Sequence, residues 1–340
     1  MRIGLALPQF DFSVPGESPL QWATVRDWAV RAEGLGFESL WLADHLFLEI
    51  TRYGGRPGRH GAFDPLVTLG ALARITSRVR LGTLVLCAPL RPPTVLAKAL
   101  ATIDVVSGGR LVVGLGAGWF EPEFTEAGLA MAGPAARLEH LAESCQVLAG
   151  MFGGGPFSFA GAHVRAAQAR CLPVPVQRPR PPIWVGGKGD RLLEVVARHA
   201  DGWNTVWAWT PAAYRGRLSV LEAACTRVGR DPASVTRSLG LQALVGEDRA
   251  DLERRFRRLC ELAPPGTMAG ATLEEWRQGR LVGTVDEVRE QLHQWEGLGV
   301  DTLIVGPGPL PFSVTGRDDV AMLAEACSLE APWASEFKNS

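Results

Sequence analysis

The feature that most constrains the fold is an alternation of short apolar runs with longer amphipathic runs along the whole chain. The short runs are rich in Val, Leu and Ile and predict strands, whereas the longer runs have helical spacing. Continuous apolar runs of this kind are typical of parallel strands buried on both faces. The predicted strands are 2–8, 38–44, 79–87, 110–118, 182–187, 201–207, 235–246 and 301–308.

Helices are predicted between these strands, with three stretches left outside the pattern. The helices are 20–34, 65–76, 92–106, 135–152, 190–199, 212–228, 248–262, 284–298 and 318–329. Residues 49–63 form a polar, glycine-rich loop. Residues 153–181 are rich in Gly and Pro, with a possible hairpin at 157–167, and residues 263–283 are irregular.

Eight such units closing on themselves predict an α/β fold, a (β/α)8 TIM barrel with inserted loops. We expect one domain over 1–340, structured to about 330, with a short polar C-terminal tail. The alternative is an open doubly wound sheet in which GLGAG binds a dinucleotide. The spacing of Gly114, Gly116 and Gly118 does not match G-x-G-x-x-G, and no acidic residue follows at the expected distance, which favours the barrel.

Composition excludes several classes of function. The formal net charge of −1 and the lack of a dense basic stripe argue against a nucleic-acid partner. No apolar run is long enough to cross a membrane, and the N-terminus does not have the pattern of a signal peptide. The six cysteines are scattered, with no CxxC pair and no His at metal-ligand spacing. They indicate reduced thiols in a cytoplasmic protein and no metal site.

The barrel prediction brings the chemistry-bearing residues to one face, because barrel sites lie at the carboxyl ends of the strands. Asp44 and His45 offer proton chemistry there. The Gly186–Lys188 turn opens a helix whose free N–H groups favour an anion such as phosphate. Taken singly, each residue also has a structural interpretation: a core hydrogen bond, a cap, a tight turn, a packed tryptophan or a solvated lysine. Their joint placement favours a site.

Four stretches resemble the bacterial-luciferase-like superfamily of flavin and deazaflavin oxidoreductases. They are AEGLGFESLWLADH (32–45), RVRLGTLVLCAPLRPPTVLAKALATIDVVSGGRLVVGLGAGW (78–119), RPPIWVGGKGDRLLEVVARHADGWN (180–204) and LVGTVDEVREQLHQWEGLGVD (281–301). Within the superfamily the pattern is closest to the branch that uses coenzyme F420. The resemblance implies an F420-dependent oxidoreductase that transfers a hydride to or from a small organic substrate.

The same resemblance assigns roles by position. Asp44 and His45 would lie on the reactive side of the cofactor ring, with His45 as proton donor or polariser. Leu84–Val85 matches a bulge that supports the ring, often through a non-proline cis peptide. The remaining cofactor contacts would be Cys87 on the same strand end, Gly116, Ala117 and Gly118 beside the ring, and Gly186, Gly187 and Lys188 at the phosphate.

In one respect this sequence departs from its relatives that oxidise sugar phosphates. Those relatives place a glutamate directly after the fourth strand's glycines, where this chain has Trp119 and Phe120. That substrate is therefore in doubt. Trp119, Trp207 and Trp209 suggest an apolar or aromatic substrate wall instead.

Other functions stay open. The main alternative is an FMNH2-dependent, oxygen-using monooxygenase, served by a separate cofactor reductase. A barrel that binds a flavin without catalysis is a third reading, and a metal-dependent hydrolase is a fourth. The resemblance also implies a homodimer, and the irregular segments 49–63 and 263–283 are candidate lids over the site.

Overall fold

The computed structural model describes residues 1–329, so the predicted polar tail lies outside the described residues. Its strands are β1 (Arg2–Ala6), β2 (Ser39–Leu42), β3 (Phe47–Leu48), β4 (His60–Gly61), β5 (Arg80–Thr83), β6 (Leu86–Cys87), β7 (Leu111–Gly116), β8 (Phe157–Ala160), β9 (Arg165–Ala169), β10 (Ile183–Gly186), β11 (Gly202–Val206), β12 (Thr236–Gly246), β13 (Leu281–Thr284) and β14 (Thr302–Gly306). Its helices are α1 (Trp22–Gly34), α2 (Pro65–Ile75), α3 (Pro93–Ser107), α4 (Glu121–Glu126), α5 (Pro134–Met151), α6 (Asp190–His199), α7 (Pro211–Arg227), α8 (Arg249–Leu262), α9 (Leu273–Trp276), α10 (Val285–Gly297) and α11 (Arg317–Ala326).

Eight of the strands close into a barrel in the order β1, β2, β5, β7, β10, β11, β12 and β14. All neighbouring pairs are parallel, and the ring closes where β14 pairs with β1. The (β/α)8 prediction is confirmed. The open sheet is wrong because β7 and β10, which would be its free edges, pair with each other.

Two tryptophans fill the barrel interior. Trp41 and Trp184 stack with ring centroids 5.2 Å apart. Neighbouring strands make room for them with glycines, since a Cβ at Gly82 would lie 2.3 Å from the Trp41 ring and one at Gly202 would lie 2.5 Å from the Trp184 ring. The interior is therefore a packed core, and space for a ligand remains only at the mouth.

The predicted strand 79–87 is interrupted. Residues Arg80–Thr83 pair with β7, the peptide between Leu84 and Val85 is cis, and the chain pairs again over Leu86–Cys87. The non-proline cis peptide implied by the family resemblance is present at the expected bond. The hairpin expected at 157–167 is also present, as the antiparallel pair β8 and β9.

The segment predicted as irregular, 263–283, contains two short elements. Thr272 and Glu275 form a capping box that begins α9, and β13 pairs in parallel with Ala243–Gly246. The strand β12 is long enough to serve the barrel with its first half and β13 with its second. Elements of four residues are too short to show periodicity, although Thr-x-x-Glu is a capping signature visible in the sequence.

Among the helices of residues 1–329, none combines the length and the apolar character that a bilayer crossing requires.

Candidate active site

A cavity of about 490 Å³ opens at the carboxyl ends of the barrel strands. Its size is typical of a small-molecule site. All but one of the residues that the sequence predicted for the site line it, the exception being Trp209: the lining includes Asp44, His45, Leu84, Val85, Cys87, Gly116, Ala117, Gly118, Trp119, Gly186, Gly187, Lys188 and Trp207. Their shared location is a finding, while their individual roles stay predictions.

The end of β2 is held in place by buried polar contacts. The Gln9 side chain accepts a hydrogen bond from Ala43 N and donates one to Ala43 O. One Asp44 carboxylate oxygen accepts from Arg91 Nη1 at 2.6 Å and from Cys87 N at 2.9 Å, and the other accepts from Arg91 Nη2 at 3.0 Å. Asp44 therefore ties β2 to β6. Its carboxylate is paired with Arg91, and its expected place beside a cofactor ring stays a prediction.

His45 is oriented by a glutamate that the sequence reasoning missed. Both carboxylate oxygens of Glu123 lie 3.2 Å from His45 Nδ1, and one of them accepts from Leu46 N at 3.0 Å. Glu123 is only 1% exposed. A buried carboxylate needs hydrogen-bond partners of this kind. Through them Glu123 holds both the His45 ring and the backbone next to it in place.

Glu123 does not follow the strand glycines directly, since Trp119 occupies that position. The short helix α4 begins at Glu121 and carries Glu123 back over the mouth. Pro122 lies in the first turn, where proline favours a helix start. The sequence EPEF (121–124) therefore contains a helix-start signal, but a six-residue helix is too short to show helical periodicity.

Cys87 lies beside this pair as a neutral thiol. Burial, with the negative charges of Asp44 and Glu123, raises the pKa of Cys87 to about 12. A Cβ at Gly118 would come within 2.7 Å of Cys87 Sγ. Cys87 is thus tightly packed and fully protonated near neutral pH, which excludes a thiolate role.

The floor of the cavity is Val85 with glycines on the two strands beside it. A Cβ at Gly116 would lie 2.7 Å from Val85 Cγ2, and one at Gly186 would lie 2.8 Å from Val85 Cγ1. Only glycine leaves room for the Val85 side chain at these positions. The glycine-rich ends of β7 and β10 therefore create a flat apolar floor.

The turn after β10, formed by Gly186, Gly187 and Lys188, is the anchor end of the cavity. Gly187 N donates to Asn204 O at 2.9 Å, and Gly187 O accepts from Trp203 Nε1 at 2.7 Å. Gly187 N–H is thus engaged within the protein, which corrects its expected role as a phosphate donor. The first N–H groups of α6 have no partner within the helix and remain the donors at this end.

Lys188 is exposed at the anchor end. Its Nζ lies 5.9 Å from the Trp209 ring centroid. Trp209 itself is buried in the core and packs edge-on against Tyr214. It does not line the cavity, so its predicted place in the substrate wall is wrong. Lys188 keeps a position suited to an anion at the mouth.

A second group of residues in the cavity forms the reaction end, which we define as His45, Glu123, Trp119 and Arg52. The Trp119 ring packs edge-on against His45 with centroids 5.5 Å apart and is 47% exposed. Arg52 Cζ lies 4.2 Å from the Trp119 ring centroid. Three chain segments meet here: the end of β2, the 49–63 loop and the turn before α4.

Aromatic rings cover the remaining wall. Phe312 contacts both Phe10 and Trp207, with centroids 6.1 Å and 5.8 Å away. Phe10 also lies 6.2 Å from His45. The wall between the two ends is therefore aromatic and suits an apolar ligand body.

The two candidate lids touch each other. A Cβ at Gly266 would lie 2.4 Å from Gly54 O, and one at Gly54 would lie 3.0 Å from Gly266 O. Both glycines have positive φ, which other residues rarely adopt. The 49–63 and 263–283 segments thus form one arch beside the cavity, and their lid function stays a prediction.

Comparison with known proteins agrees with this geometry. A phthiodiolone/phenolphthiodiolone dimycocerosates ketoreductase of Mycobacterium kansasii is 28% identical over 332 residues, covering 83% of this chain and 90% of that protein. The monooxygenase RslO1 from Streptomyces bottropensis superposes with a TM-score of 0.74 at 24% identity, covering 96% of this chain and 98% of that one. An F420-dependent secondary alcohol dehydrogenase, solved with an F420–acetone adduct, gives 0.75 at 19% identity and covers 96% and 97%.

Identities this low between structures establish only the shared fold. The sequence model of the luciferase-like monooxygenases, in contrast, matches residues 1–302. The match spans the first seven barrel strands, the reaction end and the anchor end. This chain therefore belongs to the luciferase-like monooxygenase family, whose members are oxidoreductases or monooxygenases, and is an enzyme.

Proposed function

We propose that this enzyme transfers a hydride between the deazaflavin coenzyme F420 and the carbonyl or alcohol carbon of a small organic substrate. The observation that carries the proposal is His45, held by the buried Glu123 at the edge of a cavity with a flat glycine and valine floor. Reducing a carbonyl needs one hydride at carbon and one proton at oxygen. Bound F420 would supply the hydride, and this chain has to supply the proton.

The residues present fit such a cofactor. The floor of Val85, Gly116 and Gly186 would support a planar ring, because no side chain other than Val85 projects from it. The N-terminus of α6 and the Lys188 ammonium would hold the anionic tail. Asp190 adds a negative charge to that turn, but Arg217 Nη2 lies 2.8 Å from its carboxylate and offsets it.

His45 would act through Nε2. With Glu123 accepting from Nδ1–H, Nε2 is the ring nitrogen that takes or gives the exchangeable proton. Glu123 keeps the ring in one orientation and stabilises the charge that forms on it. Trp119 and Phe10 pack against the imidazole, which is 13% exposed. The protein thus orients the acid and leaves only a small part of it open to solvent.

The comparisons support carbonyl chemistry over other reactions. The M. kansasii relative is named a ketoreductase, and one structural neighbour is an alcohol dehydrogenase that uses F420. Both names describe interconversion of a carbonyl and an alcohol, which is the reaction that a fixed acid–base histidine serves best.

The alternative is an FMNH2-dependent monooxygenase supplied by a separate cofactor reductase. The likeness to RslO1, a monooxygenase on the same fold, favours it. The floor and the anchor end would accept FMN as well as F420, since both have a planar ring and a phosphate. Oxygen dependence distinguishes the two proposals, because deazaflavins resist oxygen.

The test is an anaerobic assay of reduced F420 with a panel of ketones and aldehydes, repeated in air with reduced FMN. We expect F420 oxidation without oxygen and a matching yield of alcohol. The His45→Ala variant should lose this activity. Product formed only in air with reduced FMN would instead establish the monooxygenase.

We also propose a homodimer formed through the outward faces of α2 and α3. Val67 on α2 is 75% exposed and Val95 on α3 is 64% exposed, and the outward face of α2 carries one charge, Arg74. Exposed apolar patches of this kind mark association surfaces. Sedimentation of a Val67→Asp, Val95→Asp double variant should show a monomer, while Val30→Asp on α1 should leave the dimer intact. Identical sedimentation of both variants would contradict this surface.

A further inference from the structure

The charges that face the cavity are not all committed. Asp44 is paired with Arg91, and Glu123 is bound by His45 and Leu46 N. The basic groups Arg52 and Lys188 differ, because neither has an ion pair or a hydrogen bond within residues 1–329. Among the described residues that line the cavity, two cations are therefore free and no anion is. A ligand that neutralises them brings the negative charge.

The two cations lie in different parts of the cavity. Lys188 belongs to the turn before α6, where the proposed function places a cofactor phosphate. Arg52 belongs to the reaction end, because it covers the Trp119 ring at 4.2 Å and Trp119 in turn contacts His45. One indole ring thus separates the guanidinium from the proposed proton donor. An anion at Arg52 would sit next to the reacting carbon rather than at the cofactor tail.

The attraction of a guanidinium to an aromatic ring uses none of its N–H donors. Those donors lie in one plane and fit the two oxygens of a carboxylate. Tyr53 adds to this placement, since its ring centroid lies 5.5 Å from Arg52 Cζ. Arg52 is therefore oriented by apolar contacts while its hydrogen-bonding capacity remains unused.

We infer that the substrate carries a carboxylate, which Arg52 binds while the reducible carbonyl lies at His45. The inference rests on the proposed function and names its substrate class: an aromatic or alkyl carbonyl compound with an acidic group. The aromatic wall of Phe10, Trp207 and Phe312 would hold the apolar body between them. An acidic side chain of the cofactor has the same chemistry and is the other possible source of the anion.

The test compares two ligands of similar shape and different charge. 4-Acetylbenzoate and 4-methylacetophenone would each be titrated by calorimetry into the wild-type protein saturated with oxidised F420. We expect the carboxylate to bind at least about tenfold more tightly. In Arg52→Gln the two ligands should bind with about equal affinity. A neutral amide lacks both the positive charge and the paired N–H donors of the guanidinium.

Arg56→Gln is the matched control. Arg56 lies on the same loop, is exposed and does not line the cavity, so the variant changes the net charge equally. It should keep the preference of the wild type. If both variants lose the preference equally, the effect comes from the overall positive charge of the loop and the inference is overturned. Equal binding of the two ligands to the wild type would also overturn it.

Direct titration of the cofactor separates the two sources of the anion. If Arg52 binds the substrate, Arg52→Gln leaves the dissociation constant of F420 close to the wild-type value. A variant that binds F420 tenfold more weakly but keeps the preference for 4-acetylbenzoate would overturn the inference in favour of the cofactor. If the wild type binds FMN and not F420, the proposed cofactor is wrong, and the same ligand pair titrated into FMN-saturated protein still tests Arg52.

Discussion

The two ends of the cavity are built from different parts of the chain. The anchor end consists mainly of backbone, a glycine turn and the start of α6, with Lys188 as its charged side chain at the cavity and Asp190 paired with Arg217. The reaction end consists of side chains from three separate segments, held by contacts with one another. Backbone N–H donors can bind any phosphate, whereas side chains held by contacts with one another are specific for one reaction. Variants at the reaction end should therefore change turnover, and variants at the anchor end should change cofactor affinity.

The largest effect should come from His45→Ala. The variant removes the proposed proton donor, so kcat should fall by about 10²- to 10⁴-fold while cofactor binding persists. Single-turnover oxidation of reduced F420 measures the chemical step, and a fluorescence titration measures binding. A fall in cofactor affinity with an unchanged rate of the chemical step would show that His45 binds the cofactor and does not supply the proton.

Glu123→Gln should produce a smaller loss at the same end. The amide keeps a hydrogen-bond acceptor near Nδ1 but loses the charge, and we expect kcat to fall about 10- to 100-fold with little change in KM. Glu126→Gln is the control, because Glu126 is on the same short helix but pairs with Arg59 at the surface. Similar kinetics for the two variants would show that the contact with His45 has no catalytic role.

Gly187→Ala tests the anchor end. Gly187 has φ +143, and a Cβ there would lie 2.6 Å from Leu192 Cδ1, so alanine distorts the turn. The dissociation constants of both F420 and FMN should rise about tenfold, or about 1.4 kcal/mol. Gly189→Ala is the control, since its φ is −73 and its Cβ would meet nothing within 4 Å. If both variants bind the cofactors like the wild type, the turn is not the anchor.

The smallest effect should be seen at Cys87. Because burial and the charges of Asp44 and Glu123 raise the pKa of Cys87 to about 12, its thiol is protonated at all pH values where the protein is normally handled. Iodoacetamide at pH 8 should leave Cys87 unmodified in the native protein, as judged by peptide mass spectrometry. Rapid alkylation at that pH would require a thiolate and an electrostatic environment unlike the one described.

Much of this fold follows from local sequence. Most barrel strands are largely apolar runs, and the glycines at the ends of β7 and β10 mark places where the Val85 side chain needs room. The anchor end was predictable for the same reason, since the turn and the helix are contiguous in the chain. The interruption at Leu84–Val85 was expected only from the family resemblance.

The reaction end was less predictable. His45 was identified from its position after β2, but Glu123 and Arg52 were not, because loops and a one-turn helix bring them to it. Such contacts depend on how the inserted segments fold over the mouth, which periodicity does not report. The same limit explains why Trp209 was taken for a wall residue although it points into the core.

The most direct test of the central claim is a side-by-side binding titration of the purified protein with F420 and FMN, each oxidised and reduced. If the enzyme is a deazaflavin oxidoreductase, F420 binds at least about tenfold more tightly than FMN in the matching redox state. Tight binding of reduced FMN with little binding of F420 would contradict the claim and identify an oxygen-dependent monooxygenase.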